Sequence, residues 1–526
     1  MFLEDLYVII GRKAFLYLFV RAFMAHLADR PLGYAALIRD LRLRVMPHWH
    51  ESYATSGGRT SDVDNGNTTE WFPHAYDPGD DVGGQLEFAL KYDGTSPEIL
   101  RAVFAAIGDE RVRAIVQEKP TGIYRRRLWF FFEWLTGRTL DLPDAQSGNY
   151  IPLLDPARCV TTRGAPSRRH RVIDNLLGDA RFCPLIRRTA ALDAFVGDRL
   201  DQAAHRLVEG ISPELLQRAV SYLFTRETMS SFAIERETPS SSRAERFIAA
   251  LHRAGDRRPF GAPELLALQR AIVEPRFAAA GYRDTQNYVG ASADWTREIV
   301  HYVCPKPGDV EALMHGFFAC LDRLDQPESG VDAVVAAAAV AFGFVFIHPF
   351  DDGNGRIHRY LVHHVLARRG FTPPGMILPV SAVMLTDGAA YDRCLERFSR
   401  PLLRRIDYRL DAGGEMTVEG DTASFYRYPD LTVMAEYLYA CVATSIGRDL
   451  PAELDFLARY GRIKNAIMNR LDMPDRLIDL FIRLVHQNGG TLSRGKRVAH
   501  FAMLTDAEVA DLERIIAAAV PAEVKP

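Results

Sequence analysis

A mainly helical, multi-domain protein is what this sequence predicts, and three observations carry the prediction. Helical patterning with loop breaks runs from Leu86 to about Arg206, then resumes at Ser212 and recurs to about residue 405. The C-terminal stretch again alternates helical segments with breaks such as Gln487-Asn-Gly-Gly. A chain of 526 residues is also too long for one hydrophobic core, so several domains must share it. Hydrophobic content of 48% and charged content of 25% are those of an ordinary globular protein. The formal charge of -3 gives no global attraction to nucleic acid or to a membrane surface. The six cysteines contain no Cys-x-x-Cys pair, which predicts reduced thiols in a cytoplasmic protein, neither a disulfide framework nor a zinc site.

Taken in order, Met1 to Ile10 is apolar but carries Glu4 and Asp5 where a signal peptide needs positive charge. Ala14 to Ala28 is interrupted by Arg21 and His26, so an amphipathic helix is expected and no membrane span. Residues 46–84, with Ser56-Gly-Gly-Arg59 and Asp64-Asn-Gly-Asn67, read as a loop or disordered linker. His48 and His50 flank Trp49 without a third metal ligand and are expected to be solvated loop residues. Tyr124-Arg-Arg-Arg-Leu-Trp-Phe-Phe-Phe-Glu-Trp-Leu135 reads as a buried aromatic helix whose arginines snorkel or pair with acids, in preference to a phosphate-binding patch with Ser167-Arg-Arg-His-Arg-Val172.

Ser212 and Pro213 are placed as the N-cap and first turn of the next helix. Ala333 to Phe346 suits a buried helix, and Tyr408 to Val418 alternates like a hairpin around central glycines. Thr505-Asp-Ala-Glu508 is a capping box that opens the last helix. The C-terminal module is expected to be small and helical or winged-helix-like, and Arg494, Lys496 and Arg497 raise the question of DNA contact there. The expected division is 1–85 (amphipathic helix and linker), 86–205 (helical domain), 206–405 (functional core) and 406–526 (hairpin plus helical module).

The chemistry concentrates in His348-Pro-Phe-Asp-Asp-Gly-Asn-Gly-Arg-Ile-His-Arg359. Pro349 disfavours helical geometry at His348, so the chain turns there. Asp352 to Gly355 supplies a permissive loop before a new helix, whose first N–H groups form a concave anion site. Arg356 and Arg359 sit three apart, on one face near that helix start. His348 is the natural general base. Asp352 is a hard oxygen ligand suited to Mg2+ that keeps waters and bridges phosphates. Phe350 points into the core, and Asp351 is solvated.

Eight positions of this segment match His-x-Phe-x-Asp/Glu-Gly-Asn-Gly-Arg-x-x-Arg, and it resembles the signature of the Fic family. The resemblance covers roughly residues 206 to 405. It implies an all-α Fic fold with a small β-hairpin flap, with additional N-terminal helical and C-terminal modules. It further implies transfer of AMP from ATP to a Ser, Thr or Tyr hydroxyl of a protein target or of the chain itself, with Mg2+ held at Asp352. His348 would deprotonate the hydroxyl. Gly353, Asn354, Gly355, Arg356 and Arg359 would bind ATP, with Asn354 and the loop amides stabilising phosphoryl charge. Gly355 stands where relatives that phosphorylate carry lysine, which favours adenylyl transfer.

Two further segments resemble family elements. Gly281-Tyr-Arg-Asp-Thr-Gln-Asn-Tyr-Val-Gly290 is similar to the flap, a hairpin that aligns the target by strand addition through Thr285, Gln286, Asn287, Tyr288, Val289 and Gly290. Ser230-Ser-Phe-Ala-Ile-Glu-Arg236 resembles the inhibitory motif, with Ser231 and Glu235 on one helix face. In relatives the glutamate engages the second signature arginine, here Arg359, and blocks productive ATP binding. Arg236 departs from the glycine or asparagine of that pattern. The resemblance also implies the reverse reaction, removal of AMP with this glutamate positioning water. It leaves a homodimer open and involves no membrane. The rival reading is a nucleic-acid-binding regulator with a nucleotide-sensing core.

Overall fold

The computed structural model describes residues 30–256, 258–292, 298–411 and 413–519. The amphipathic helix expected over Ala14 to Ala28 lies outside them. The protein is mainly helical, with small sheets and hairpins between the helices. Two compact units are each assembled from separated segments. The first draws on residues up to 194, 259–365 and 389–437; the second on 195–258, 366–388 and 438 onward. Boundaries at 85, 205 and 405 do not describe them, because segments distant in sequence pack into the same core.

The first unit opens with β1 (Arg30–Leu32) and α1 (Gly33–Asp40). The stretch expected to be a linker instead builds most of a four-stranded sheet: β2 (His50–Thr55), β3 (Thr60–Asp64) and β4 (Asn67–Pro73), in the order β1-β2-β4-β3. The glycine that suggested a linker is half of a turn. Asn65 and Gly66 adopt φ of 49° and 80° between antiparallel β3 and β4, the left-handed pair that a two-residue hairpin loop needs. His50 is correspondingly buried on β2, with Nε2 3.2 Å from Glu70, and the ring of His48 packs edge-on against Tyr34.

Four helices follow: α2 (Val82–Tyr92), α3 (Pro97–Ile107), α4 (Asp109–Glu118) and α5 (Ile123–Thr136). Their apolar faces share one core that includes Leu86, Phe104, Val116, Trp129 and Phe131. The arginines of α5 are structural. Buried Arg125 donates to Gly83 O, Arg126 to the carbonyls of Asn149 and Arg171, and Arg127 to Pro152 O. Arg169 is held by Glu133, which also receives Trp129 Nε1. A small sheet of β5 (Ile151–Pro152), β6 (Ala165–Ser167) and β7 (Val172–Asp174), in the order β5-β7-β6, completes this part.

In the second unit, α6 (Pro213–Ile234) starts as expected: Ser212 Oγ accepts from Leu215 N at 3.3 Å, with Pro213 in the first turn. α7 (Ser241–His252) packs on it, with Phe224 stacked on His252 at 3.8 Å.

Back in the first unit, α8 (Ala262–Ile272) precedes a hairpin of β8 (Tyr288–Ser292) and β9 (Glu298–Val303). Then come α9 (Pro307–Asp325) and α10 (Ala333–Ile347). α10 is apolar on all sides and almost wholly buried, so it forms the unit's central rod. Asp332 caps it, accepting from Val334 N and Val335 N, an arrangement that stabilises a helix by about 1 kcal/mol. α11 (Asn354–Arg368) follows the signature loop.

α12 (Val380–Thr386) returns to the second unit, where Ser381 N reaches Glu227 of α6 at 2.9 Å. α13 (Gly388–Leu403) leads into the expected hairpin, β10 (Tyr408–Leu410) against β11 (Met416–Val418). The C-terminal module consists of α14 (Leu450–Arg470), α15 (Asp475–Gln487), α16 (Arg494–His500) and α17 (Asp506–Ala519). Ile467, Phe481, Phe501 and Leu512 belong to its separate core. The Thr505–Glu508 capping box is formed in both directions. No strand follows Val418 among the described residues, so the module is helical and carries no wing there. No helix among them is long and apolar enough to cross a membrane.

Candidate active site

The signature begins where the central rod ends. α10 closes at His348, which adopts a left-handed conformation (φ 52°, ψ 58°) while its N–H still reaches Phe344 O at 3.0 Å. Proline at 349 prevents the helix from continuing. The ring turns back so that Nδ1 lies 3.2 Å from Val345 O. A carbonyl can only accept, so this contact assigns the proton to Nδ1 and leaves the neutral ring's basic lone pair on Nε2.

Phe350 is buried, and Asn354 clasps it: Asn354 Oδ1 accepts from Phe350 N at 3.1 Å, and Nδ2 donates to Phe350 O at 2.7 Å. The Asn354 side chain therefore closes the loop, a structural role beside the one toward phosphoryl charge that the resemblance implies. Gly353 has φ 94°, and a Cβ there would meet Val273 Cγ1 at 3.0 Å, so both backbone and packing call for glycine. Ile357 N bonds Gly353 O as α11 begins, with Gly355 in its first turn.

Asp352 keeps a half-exposed carboxylate whose Oδ1 accepts from Gly353 N and from Arg356 Nη2, both at 2.6 Å. Arg356 is buried and also reaches Ile272 O at 3.3 Å. Arg359 is buried as well. The two arginines, three residues apart on α11, are thus both buried, and Arg356 is paired with Asp352. A cavity beside Asp352 is lined by Arg276, Ala278, Ala279, Ala280 and exposed Asp351.

Sequence reasoning passed over Arg283. It is 4% exposed and ties the site to the hairpin. Its Nε donates to His348 O at 2.8 Å, Nη1 to Thr285 O at 2.9 Å and Nη2 to Pro305 O at 2.6 Å, while its backbone N–H reaches Pro349 O at 2.9 Å. One buried guanidinium thus fixes the backbone of His348, the lead-in to β8 and the segment before α9. No periodic pattern marks such a residue.

The hairpin begins only at the end of the 281–290 stretch, at Tyr288. Thr285, Gln286 and Asn287 form its lead-in, Gln286 Nε2 donating to Cys304 O at 2.8 Å and Asn287 Oδ1 accepting from Tyr288 N at 2.7 Å. Only Tyr288, Val289 and Gly290 of the expected flap residues are in a strand, with a register shift between the last two. Val289 and Ile299 are exposed on its surface. The Tyr302 hydroxyl donates to Phe346 O, which pins β9 to the last turn of α10. Burial pushes the Tyr282 phenol up to about 12, and its ring packs on Phe350.

The 230–236 motif lies in the second unit. Ser231 is buried on α6, and exposed Glu235 is the residue at the helix end. Arg236 follows at φ 58°, donating to Ala233 O at 2.9 Å while Glu237 N bonds Phe232 O at 3.1 Å. This pair of bonds is the Schellman arrangement, and its left-handed position is where glycine or asparagine is favoured. The departure of Arg236 from the pattern thus has a backbone meaning.

Residues 259–366 match the Fic/DOC family model. Over 119 residues the chain is 34% identical to a protein adenylyltransferase Fic from Drosophila grimshawi, covering 22% of each protein. The counterpart from Drosophila ananassae is also 34% identical over 119 residues, or 22% of this chain and 21% of its own. The chain thus spans about a fifth of the length of these relatives. A solved Fic family protein from Desulfovibrio desulfuricans is 18% identical with a TM-score of 0.37, covering 62% of this chain and 85% of its own. A Fic domain containing signaling protein from Bacteroides thetaiotaomicron is 19% identical with a TM-score of 0.35, covering 50% and 97%.

Proposed function

We propose that this chain, which carries a Fic/DOC family domain at residues 259–366, transfers AMP from ATP to a Ser, Thr or Tyr hydroxyl of a protein target or of itself. The observation that carries this reading is the Nδ1 contact of His348 with Val345 O, which presents Nε2 as the basic atom. The target oxygen attacks the α-phosphorus, its proton passes to Nε2, and the bond to the β-phosphate oxygen breaks so that pyrophosphate leaves. The N–H groups at the start of α11 and the buried charge of Arg356 and Arg359 act on the phosphates. Arg356, paired here with Asp352, can exchange that carboxylate for a phosphate oxygen.

Asp352 fits a Mg2+ ion that arrives with the triphosphate. It offers one half-exposed carboxylate, and no cluster of three or more His, Cys, Asp or Glu among the described residues offers a protein cage. When bound, Mg2+ would neutralise phosphate charge. Asn354 contributes by keeping Phe350 and the loop in place. The hairpin from Thr285 to Gly290 would align the target backbone by strand addition, and Glu235 with Ser231 would restrain the reaction.

The test uses the full chain with Mg2+ and ATP labelled either on the α- or on the γ-phosphate. Retention of α label by protein, lost in His348→Ala and increased in Glu235→Gly, is the expected result. Retention of γ label would replace adenylyl by phosphoryl transfer, and α labelling that survives His348→Ala would remove the base. If Glu235→Gly labels no faster than the parent, the restraint is absent.

A further inference from the structure

A second cavity of the first unit, of about 290 Å3, is lined by residues outside the signature, among them aromatic, acidic and basic side chains. Trp49, Phe398 and Tyr428 supply aromatic wall. Glu98, in the first turn of α3, lines the same cavity and is only 7% exposed. Its Oε1 accepts from Met46 N at 2.7 Å, and no other hydrogen bond or ion pair of its carboxyl is formed among the described residues. Burial pushes this carboxyl up to about 8, so near neutral pH it keeps its proton and can donate as well as accept. Arg187 is held in the wall by Asp430 at 2.9 Å, by Gly66 O at 2.8 Å and over the face of Trp49 at 5.0 Å. It is a fixed guanidinium, not a mobile surface charge.

An adjoining hollow shares Pro47, Arg397 and Pro401 with this cavity. It adds Arg393, Arg400, Arg404 and Arg405, against one acid, Glu396. Glu396 is already taken by Arg400 at 2.7 Å, and Arg397 donates to Asn65 O. Arg393, Arg404 and Arg405 form no ion pair among the described residues. Positions 393, 397, 400 and 404 recur at helical spacing, so they make a ridge along α13 and the residue just beyond it. Such a ridge of guanidiniums favours phosphate oxygens.

We propose that the two hollows form one binding site for a small phosphate ester carrying a planar ring, of nucleoside monophosphate size. The ring lies in the cavity beside Phe398 and Tyr428, with Glu98 meeting its polar edge and Trp49, which already carries Arg187 and Arg158 over its ring, as a fixed wall; the phosphate rests on Arg397 and Arg404. This site uses none of the signature's own residues, although Phe398 of its wall packs on Phe346, two residues before His348. Its residues come from segments some three hundred positions apart, which explains why no motif announced it.

Calorimetric titration of the full chain tests this with AMP, GMP, CMP and UMP, alongside adenosine, guanosine, ribose 5-phosphate and inorganic phosphate. At least one monophosphate should bind, and the matching nucleoside and the ringless phosphates should bind at least about tenfold more weakly. Glu98→Leu, which removes both donor and acceptor, and the double variant Arg397→Ala/Arg404→Ala should each weaken binding by about tenfold, with α-label transfer to protein unchanged. Melting curves establish that both variants fold. Affinity unchanged in both variants would assign the binding elsewhere and overturn the proposal. So would inorganic phosphate binding as tightly as the esters, or no monophosphate binding at all.

Discussion

Two helices of this protein end in the same unusual way and for different reasons. α10 stops at His348 with φ 52°, and α6 ends with Arg236 at φ 58°; neither residue is glycine. The left-handed state costs a residue with a side chain about 1–2 kcal/mol. At His348 the surroundings over-determine it: Arg283 grips the carbonyls on both sides of Pro349's nitrogen and ring, and the imidazole bonds back to Val345 O. At Arg236 the two Schellman bonds hold the backbone, with Arg243 paired to the neighbouring Glu237 at 2.7 Å, and the residue itself is exposed. One terminus uses a disfavoured backbone to aim a side chain. The other places a charged residue where the backbone alone would choose glycine.

The contrast can be broken most severely at His348. His348→Ala should lower α-label transfer by about a thousandfold while leaving the melting temperature close to that of the parent, since the expected loss is of a base and not of packing. Arg283→Ala should come next. It strips three carbonyls, one of them in a fully buried bond, of their donor and should cost about 3 kcal/mol in denaturant unfolding, with transfer falling although His348 remains. Unchanged stability would mean that the left-handed turn at His348 holds itself. Glu235→Gly should raise initial transfer rates by about tenfold, read by the same label, without the stability loss seen for Arg283→Ala. The smallest effect sharpens the other side of the comparison. Arg236→Gly should stabilise the chain by about 1 kcal/mol in urea titration, whereas His348→Gly should gain less, because histidine tolerates this region better than arginine.

Much of this was legible where local physics decides. An all-apolar run predicts the buried rod α10, Pro349 predicts its end, and Ser212 and Thr505 announce the helices they cap. Legibility failed where polar residues act at long range. β3 is exposed along its whole length, so residues 46–84 showed no alternation, and Asn65-Gly66 looked like linker instead of a turn. The spacing of Arg356 and Arg359 gave their shared face but could not give their depth. For Asn354 the resemblance implies a role toward phosphoryl charge, and its side chain's contact with Phe350's backbone, set by loop closure, was not legible at all. The offset of the hairpin has the same origin: Gln286 and Asn287 spend their amides on the backbone before the first strand can begin.

Arg283 also has a consequence for which hydroxyls could be reached. Because the same guanidinium fixes Thr285 ahead of the hairpin and His348 at the loop, the hairpin and the imidazole proposed as base cannot drift apart independently. A peptide laid along Val289 would find the distance from its own backbone to Nε2 already set, like stock held against a depth stop. Side-chain length would then sort the acceptors, so that serine and tyrosine at one register would not be equivalent targets.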